Sequence, residues 1–253
     1  LFGEKGFKRL MREGVVCENL VFDFPNIDKA SATATLYTGT TPFFHGIPSE
    51  RFFNTAFLRE EFILNDPSKI GNYTDETFSP ERIRTSTLSD EVKIVSGGLG
   101  RVYAVAPDAQ QSIISAGHAA NCAFWINDRN GKWATTTYYR DVPAYVEQFN
   151  YDTLSWTPVY TPDRYTAIPY LTNDFSFKRT FARDGRDKFV QFKTTALVNQ
   201  EITDVAVEFL DKGLLGRRGV LDMLNVGYTA GVYLNKTIQD YGLELQDTYV
   251  RLD

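Results

Sequence analysis

The run Val102-Tyr103-Ala104-Val105-Ala106 constrains this chain more than any other segment. An apolar stretch without alternation suits a strand covered on both faces, and such strands sit in parallel sheets whose crossovers are helices. The flanking text agrees. Leu88, Val92 and Val95 keep helical spacing and Gly97-Gly98 ends it, while residues 109–116 read as a second helix. Further on, Ile202, Val205, Ala206, Phe209 and Leu210 share a helical face closed by Gly213, and 220–226 reads as another strand. Residues 123–126 and 133–138 flank Asp128-Arg129-Asn130-Gly131, which predicts a local antiparallel hairpin. Near the start, Phe7, Leu10 and Met11 predict a helix stopped by Gly14, and 15–24, rich in Val, Leu and Phe, predicts a strand. Residues 31–37 are helix-compatible, Pro143 suits the first turn of a helix to Phe149, and the residues from Tyr241 look helical. The expected fold class is α/β: a layered fold with a mostly parallel central sheet flanked by helices, plus the hairpin.

Composition narrows the function. With 27 basic and 32 acidic residues among 253, a net charge of −5 and no basic run, the chain lacks the footprint of a nucleic-acid binder. Apolar content of 43% supports a sizeable core, but no stretch reaches the roughly 20 apolar residues of a membrane span. Two cysteines, Cys17 and Cys122, make neither a disulfide framework nor a zinc cluster. His45 and His118 are the only histidines and have no second ligand at metal spacing, so they read as structural. Residues 151–192 are dense in aromatics and prolines, and Trp156, Tyr160, Tyr165 and Tyr170 there read as packing. The region 151–195 is expected to be an irregular cap or insertion. Asn72-Tyr73-Thr74 and Asn235-Lys236-Thr237 match a glycosylation pattern common by chance.

Gly39, Pro42 and Gly46 break the chain into a loop where an α/β protein keeps its chemistry. Around it the text resembles the alkaline phosphatase superfamily, of the type I phosphodiesterase/nucleotide pyrophosphatase kind. The first block is Gly6-Phe7-Lys8-Arg9-Leu10-Met11-Arg12-Glu13-Gly14 followed by Cys17-Glu18-Asn19, and the second is Leu36-Tyr37-Thr38-Gly39-Thr40-Thr41-Pro42 with His45-Gly46-Ile47. Ser115-Ala116-Gly117-His118-Ala119-Ala120-Asn121 with Tyr138-Tyr139 is the third, and Glu244-Leu245-Gln246-Asp247-Thr248-Tyr249 the fourth. The resemblance spans nearly the whole chain. It implies one alkaline-phosphatase-like domain over 1–253, incomplete at both ends, and a periplasmic or extracellular setting typical of Bacteroidetes-like relatives. It also implies phosphoester hydrolysis by two zinc ions, one of which activates a Thr or Ser alkoxide.

Against that pattern the site residues differ. The resemblance places the nucleophilic Thr on Lys29 and a phosphate-binding Asn on Glu50, and it sets a Lys and an Arg two residues apart on Asp108 and Gln110. An ammonium cannot serve as a metal-bound alkoxide, and a carboxylate repels phosphate. Residues 228–235, where an Asp and a His would bind metal, hold neither. Charge balance predicts that Lys29 approaches Asp108 or Glu50. The expectation is a domain that has lost metal-dependent hydrolysis, needs no cofactor, and binds a small molecule, glycan or protein in a regulatory role. One alternative is an active two-zinc phosphomonoesterase or phosphodiesterase completed by segments outside this sequence. Another is a metal-free enzyme using Lys29, Asp108 and Glu50 as acid-base groups.

Overall fold

The computed structural model describes residues 3–140, 142–152, 159–160, 179–180, 187–230 and 238–253. The elements in chain order are helices α1 (Phe7–Glu13), α2 (Lys29–Thr38) and α3 (Pro42–His45), strands β1 (Arg51–Asn54), β2 (Arg59–Phe62) and β3 (Gly71–Asn72), then α4 (Leu88–Val95), β4 (Val102–Val105) and α5 (Ala109–Ala116). Strands β5 (Cys122–Ile126) and β6 (Trp133–Thr136), helix α6 (Ala144–Asp152), strands β7 (Val159–Tyr160) and β8 (Arg179–Thr180), helices α7 (Lys188–Lys193) and α8 (Leu197–Asp211), strand β9 (Met223–Val226) and helix α9 (Ile238–Leu252) complete the list.

Two compact units emerge: Phe22–Leu154 with Ile202–Gly227, and Leu1–Val21 with Ser155–Glu201 and Tyr228–Asp253. The first holds a five-stranded sheet of order β3-β6-β5-β4-β9. Strand β4 pairs parallel with β5 and β9, and β6 lies antiparallel to both β5 and β3. Only β6 therefore runs against the other four, as the unalternated run at 102–106 predicts. Every residue of β4 and β5 is buried, and one face of the sheet packs Ala104, Ala123 and Trp125 with Ile113 and Ile114 of α5. Burying Ile113 and Ile114 stabilises by roughly 1.5–3 kcal/mol each.

Helix α2 is built for close approach. Ala30, Ser31 and Ala34 are fully buried or nearly so and carry small side chains, which lets the helix come near α5, since interhelical distance follows the contact residues. Its start is fixed by a capping box: Asp28 Oδ1 accepts from the Ser31 backbone N–H, and Ser31 Oγ accepts from that of Asp28. Gly39, in the left-handed conformation at φ 65°, ends it.

The expected strand at 15–24 is not formed. Those residues take no regular structure, and Val15 and Val21 are 93% and 80% exposed. Apolar composition cannot hold an extended segment that has no neighbouring strand. Conversely, β1 and β2 form an antiparallel hairpin that sequence reasoning did not foresee. In the second unit, Asp253 accepts from the backbone N–H groups of Gly3 and Phe7 through its two carboxylate oxygens, and the Phe7 ring stacks tilted on Tyr249 at 6.3 Å. Most of 151–192, including Trp156, Tyr165 and Tyr170, lies outside the described residues, as does the sequon at Asn235.

Candidate functional site

The C-terminal end of β4 leads into α5, and Asp108 stands at the N-cap position between them. Its carboxylate does not cap the helix; Oδ2 accepts instead from Lys29 Nζ, the first residue of α2. The small-residue face of α2 thus delivers an ammonium to a carboxylate 79 residues away in sequence. The pair is partly open to water, with side chains 47% and 26% exposed. An ion pair this accessible contributes about 0–1 kcal/mol to folding. This is the approach that charge compensation predicts for Lys29.

Glu50 belongs to the same cluster. It is half-buried, and burial first and the Asp108 charge second push its carboxyl above the usual range, against the pull of Lys29 and Arg51. Its backbone N–H donates to Asp28 Oδ2, so one Asp28 carboxylate caps α2 with one oxygen and positions Glu50 with the other. Asn26 Nδ2 donates to the Pro48 carbonyl beside it. Asp28 is the residue that sequence reasoning missed, although Asp28 followed by Ser31 three positions on is a recognisable capping signature. Gln110 is placed differently. It is buried on α5, 6% exposed, and no hydrogen bond links it to Lys29, Glu50 or Asp108.

Both imidazoles are committed elsewhere. His45 Nδ1 accepts from the Ile47 backbone N–H, so Nε2 carries the proton and faces Thr35 Oγ1 at 3.1 Å; burial holds this ring's pKa low, in the neutral form. His118 does the reverse. Its Nδ1 donates to Asp90 Oδ2 at 3.0 Å and its Nε2 donates to the Ile83 carbonyl at 2.9 Å, which needs a proton on each nitrogen. The Asp90 hydrogen bond is the main cause that raises its pKa, against burial.

These facts bear on a zinc pair. Such a centre needs several neutral imidazoles and carboxylates converging on two points. Among the described residues no three His, Cys, Asp or Glu side chains gather to hold a metal ion. At the cluster itself an ammonium occupies Asp108, Asp28 is committed to two backbone N–H groups, and Glu50 is the remaining carboxylate. These residues do not fit two zinc ions.

Comparison with known proteins places the chain. It is 30% identical over 282 residues to a protein of Myroides odoratus named calcium-transporting ATPase, covering 100% of this chain and 50% of that one. Alkaline phosphatase PhoV of Synechococcus elongatus is 27% identical over 273 residues, again covering 100% and 50%. A crystal structure of alkaline phosphatase PafA, bearing substitutions of one Thr, one Asn, one Lys and one Arg, superposes with a TM-score of 0.78 at 24% identity, covering 100% of this chain and 53% of that one. The chain spans about half the length of the curated relatives it matches. A further match is to the family profile itself, over residues 3–213, and on that ground this chain belongs to the type I phosphodiesterase / nucleotide pyrophosphatase family, within the alkaline phosphatase superfamily.

Proposed function

We propose that this domain has lost metal-dependent phosphoester hydrolysis and acts as a binding or regulatory member of its family. The observation that carries the reading is the Lys29–Asp108 ion pair at the mouth of β4. In the PafA structure the substituted Thr and Asn lie 21 residues apart, as do Lys29 and Glu50; its substituted Lys and Arg lie two apart, as do Asp108 and Gln110. That spacing supports placing these four residues at the positions altered in PafA. The chemistry there is then inverted. A hydroxyl has become an ammonium, an amide and a lysine have become carboxylates, and an arginine has become a neutral amide.

The consequence is physical. At the former phosphate position a dianion meets Glu50 and Asp108 rather than cations, and the one ammonium is already neutralised. No alkoxide is available from Lys29 to form a phospho-enzyme bond. A ligand suited to this cluster is neutral or cationic, such as a glycan hydroxyl array or a basic group on a protein. A second reading, an active two-zinc phosphomonoesterase or phosphodiesterase completed by segments outside this sequence, draws on the twofold length of the relatives. The experiment that separates them measures metal content and turnover of aryl phosphate and phosphodiester substrates by the full-length gene product, with and without added zinc. The proposal expects less than one tightly held ion per chain and no zinc-stimulated turnover. Two ions per chain with hydrolysis sink it, and metal-free turnover abolished in Lys29→Ala favours acid-base catalysis by this cluster instead.

A further inference from the structure

A second feature lies on the same edge of the five-stranded sheet as Asp108, toward its other side. Strand β6 runs antiparallel to β3 and β5, so β3, β5 and β4 all point the same way. Ligands of open α/β sheets bind outside the carboxyl ends of such strands. Asp108 stands past the end of β4, and Tyr73 stands directly past the end of β3. The two strands are three steps apart in the sheet, roughly 14 Å at about 4.8 Å per step.

The Tyr73 backbone is strained. Its φ is 61°, a left-handed conformation that is an outlier for a bulky side chain, and such strain persists only where the surroundings over-determine it. Here they do. Asn130 Nδ2 donates to the Tyr73 carbonyl at 2.9 Å, and Asn127 Nδ2 donates to the neighbouring Thr74 Oγ1 at 2.7 Å, so the β5–β6 turn grips this loop. The Tyr73 phenol donates to Glu147 Oε1 of α6 at 3.4 Å, and Lys132 Nζ stands 5.3 Å from the ring centroid.

These contacts arrange polar groups beside an open aromatic ring. Glu147 and Tyr151 lie four residues apart in α6 and so share a helix face. Glu147 reaches Tyr73, which sets the Tyr151 ring one turn further along the same side, 72% exposed. Burial first, and then the Glu147 and Tyr151 charges, push the Tyr73 hydroxyl above its ordinary range, so it stays protonated at neutral pH. Among the described residues, Tyr151 Oη and Lys132 Nζ have no hydrogen-bond or ion-pair partner, and Glu147 Oε2 accepts nothing.

The chemistry of the set selects a ligand class. One ammonium and one carboxylate offset each other in sign, so a phosphate would meet Glu147 and a polyamine would meet Lys132. Donors and acceptors side by side, next to an exposed ring, suit a neutral ligand rich in hydroxyls and apolar on one face. A pyranose has that make-up: its hydroxyls donate and accept, and its axial C–H bonds form a face that packs on an aromatic ring.

We propose that Tyr151, Glu147 and Lys132, positioned by the strained Tyr73, form a binding site for a neutral sugar unit of an oligosaccharide. Tyr151 supplies the stacking face, Glu147 Oε2 and Lys132 Nζ take the hydroxyls, and Tyr73 holds the two charged groups in place. The site stands whether or not the Lys29 cluster has lost hydrolysis. Titration calorimetry of the full-length gene product uses three uncharged probes: cellohexaose, maltohexaose and N-acetylated chitohexaose.

Saturable binding of at least one probe is expected below about 5 mM. Tyr151→Ala should weaken it at least about tenfold, the equivalent of about 1.4 kcal/mol, and Glu147→Gln several-fold. Lys29→Ala should leave it unchanged. Should Tyr151→Ala lose its far-UV spectrum, Tyr151→Leu, which keeps apolar bulk without a ring face, decides the matter with a loss of the same size. The proposal is overturned if no probe saturates, if the Tyr151 and Glu147 variants bind as the wild type does, or if Lys29→Ala abolishes binding and so moves the sugar to the Lys29 cluster.

Discussion

The two ends of α5 handle charge in opposite ways. At its C-terminal end Asp90 is 5% exposed and accepts five hydrogen bonds, from Thr87 N–H and Oγ–H, His118 N–H and Nδ1–H, and Ala119 N–H. Gly117 passes so close that a Cβ there would lie 2.1 Å from Thr87 Oγ1, and its φ of +70° suits glycine. At the N-terminal end the Lys29–Asp108 pair is open to solvent and Glu50 is half-buried with its charge disfavoured. A satisfied buried carboxylate holds α4 to the loop after α5, whereas accessible and unsettled charges suit ligand exchange. The comparison separates an acid that is architecture from acids that solvent reaches.

The largest expected effect tests the architectural end. Asp90→Ala leaves a half-buried imidazolium and four other donors without their acceptor, and leaving such groups unsatisfied costs about 3 kcal/mol. Urea unfolding should show the loss in its midpoint; a change below about 1 kcal/mol would contradict the assignment.

The pH response of the same pair is next in size. Burial pushes the Asp90 carboxyl up, but hydrogen bonds from His118, Thr87 and Ala119 outweigh it and hold it at about 2, against an ordinary 3.8. A depressed carboxyl stabilises the fold above its unfolded value, and this share, about 2 kcal/mol, is lost as pH falls through the folded value. His118 has the opposite sign. Its raised pKa gives stability that is present below the ordinary 6.5 and lost as pH rises through the folded value. Unfolding midpoints should therefore plateau between those limits, and His118→Gln should flatten the alkaline decline. An unchanged alkaline limb in that variant would assign the decline to another group.

Much of the architecture was legible because it rests on local pattern. The unalternated run became β4, buried and parallel on both sides, and the Asp128-Arg129-Asn130-Gly131 signal became the β5–β6 hairpin. The misread segments show where pattern stops. Residues 15–24 have strand composition but no strand to pair with, and pairing is not a property of the segment itself. The β1–β2 hairpin was hidden because Leu58, at φ 52°, takes the left-handed turn position where Gly or Asn would have announced it. The candidate site was legible only through family resemblance, since a lone Lys29 and a lone Asp108 carry no local signal.

At the open end the expected effects are smaller, and that is what sharpens the contrast. Lys29→Ala should cost less than about 1 kcal/mol, because water already screens the pair. The same change should push the Glu50 carboxyl still higher, while Asp108→Asn should bring it back toward its ordinary value, since burial and then the Asp108 charge are what raise it. Carbon-detected NMR titration of the glutamate carboxyls reads both, and shifts in the same direction for the two variants would break the cluster apart.

Glu50→Gln should have the smallest effect and the most informative sign. A carboxyl whose folded pKa is raised contributes stability below its unfolded value of 4.5, and loses it as pH rises and the folded state resists ionisation. Replacing it with a neutral amide of the same shape removes that opposition, so the urea midpoint at neutral pH should rise slightly rather than fall. At pH 4 the gain should vanish, because the carboxyl is then largely protonated in both states. A loss at neutral pH would mean that Glu50 is held by a stabilising contact, as Asp90 is, and would place it with the architecture instead of the site.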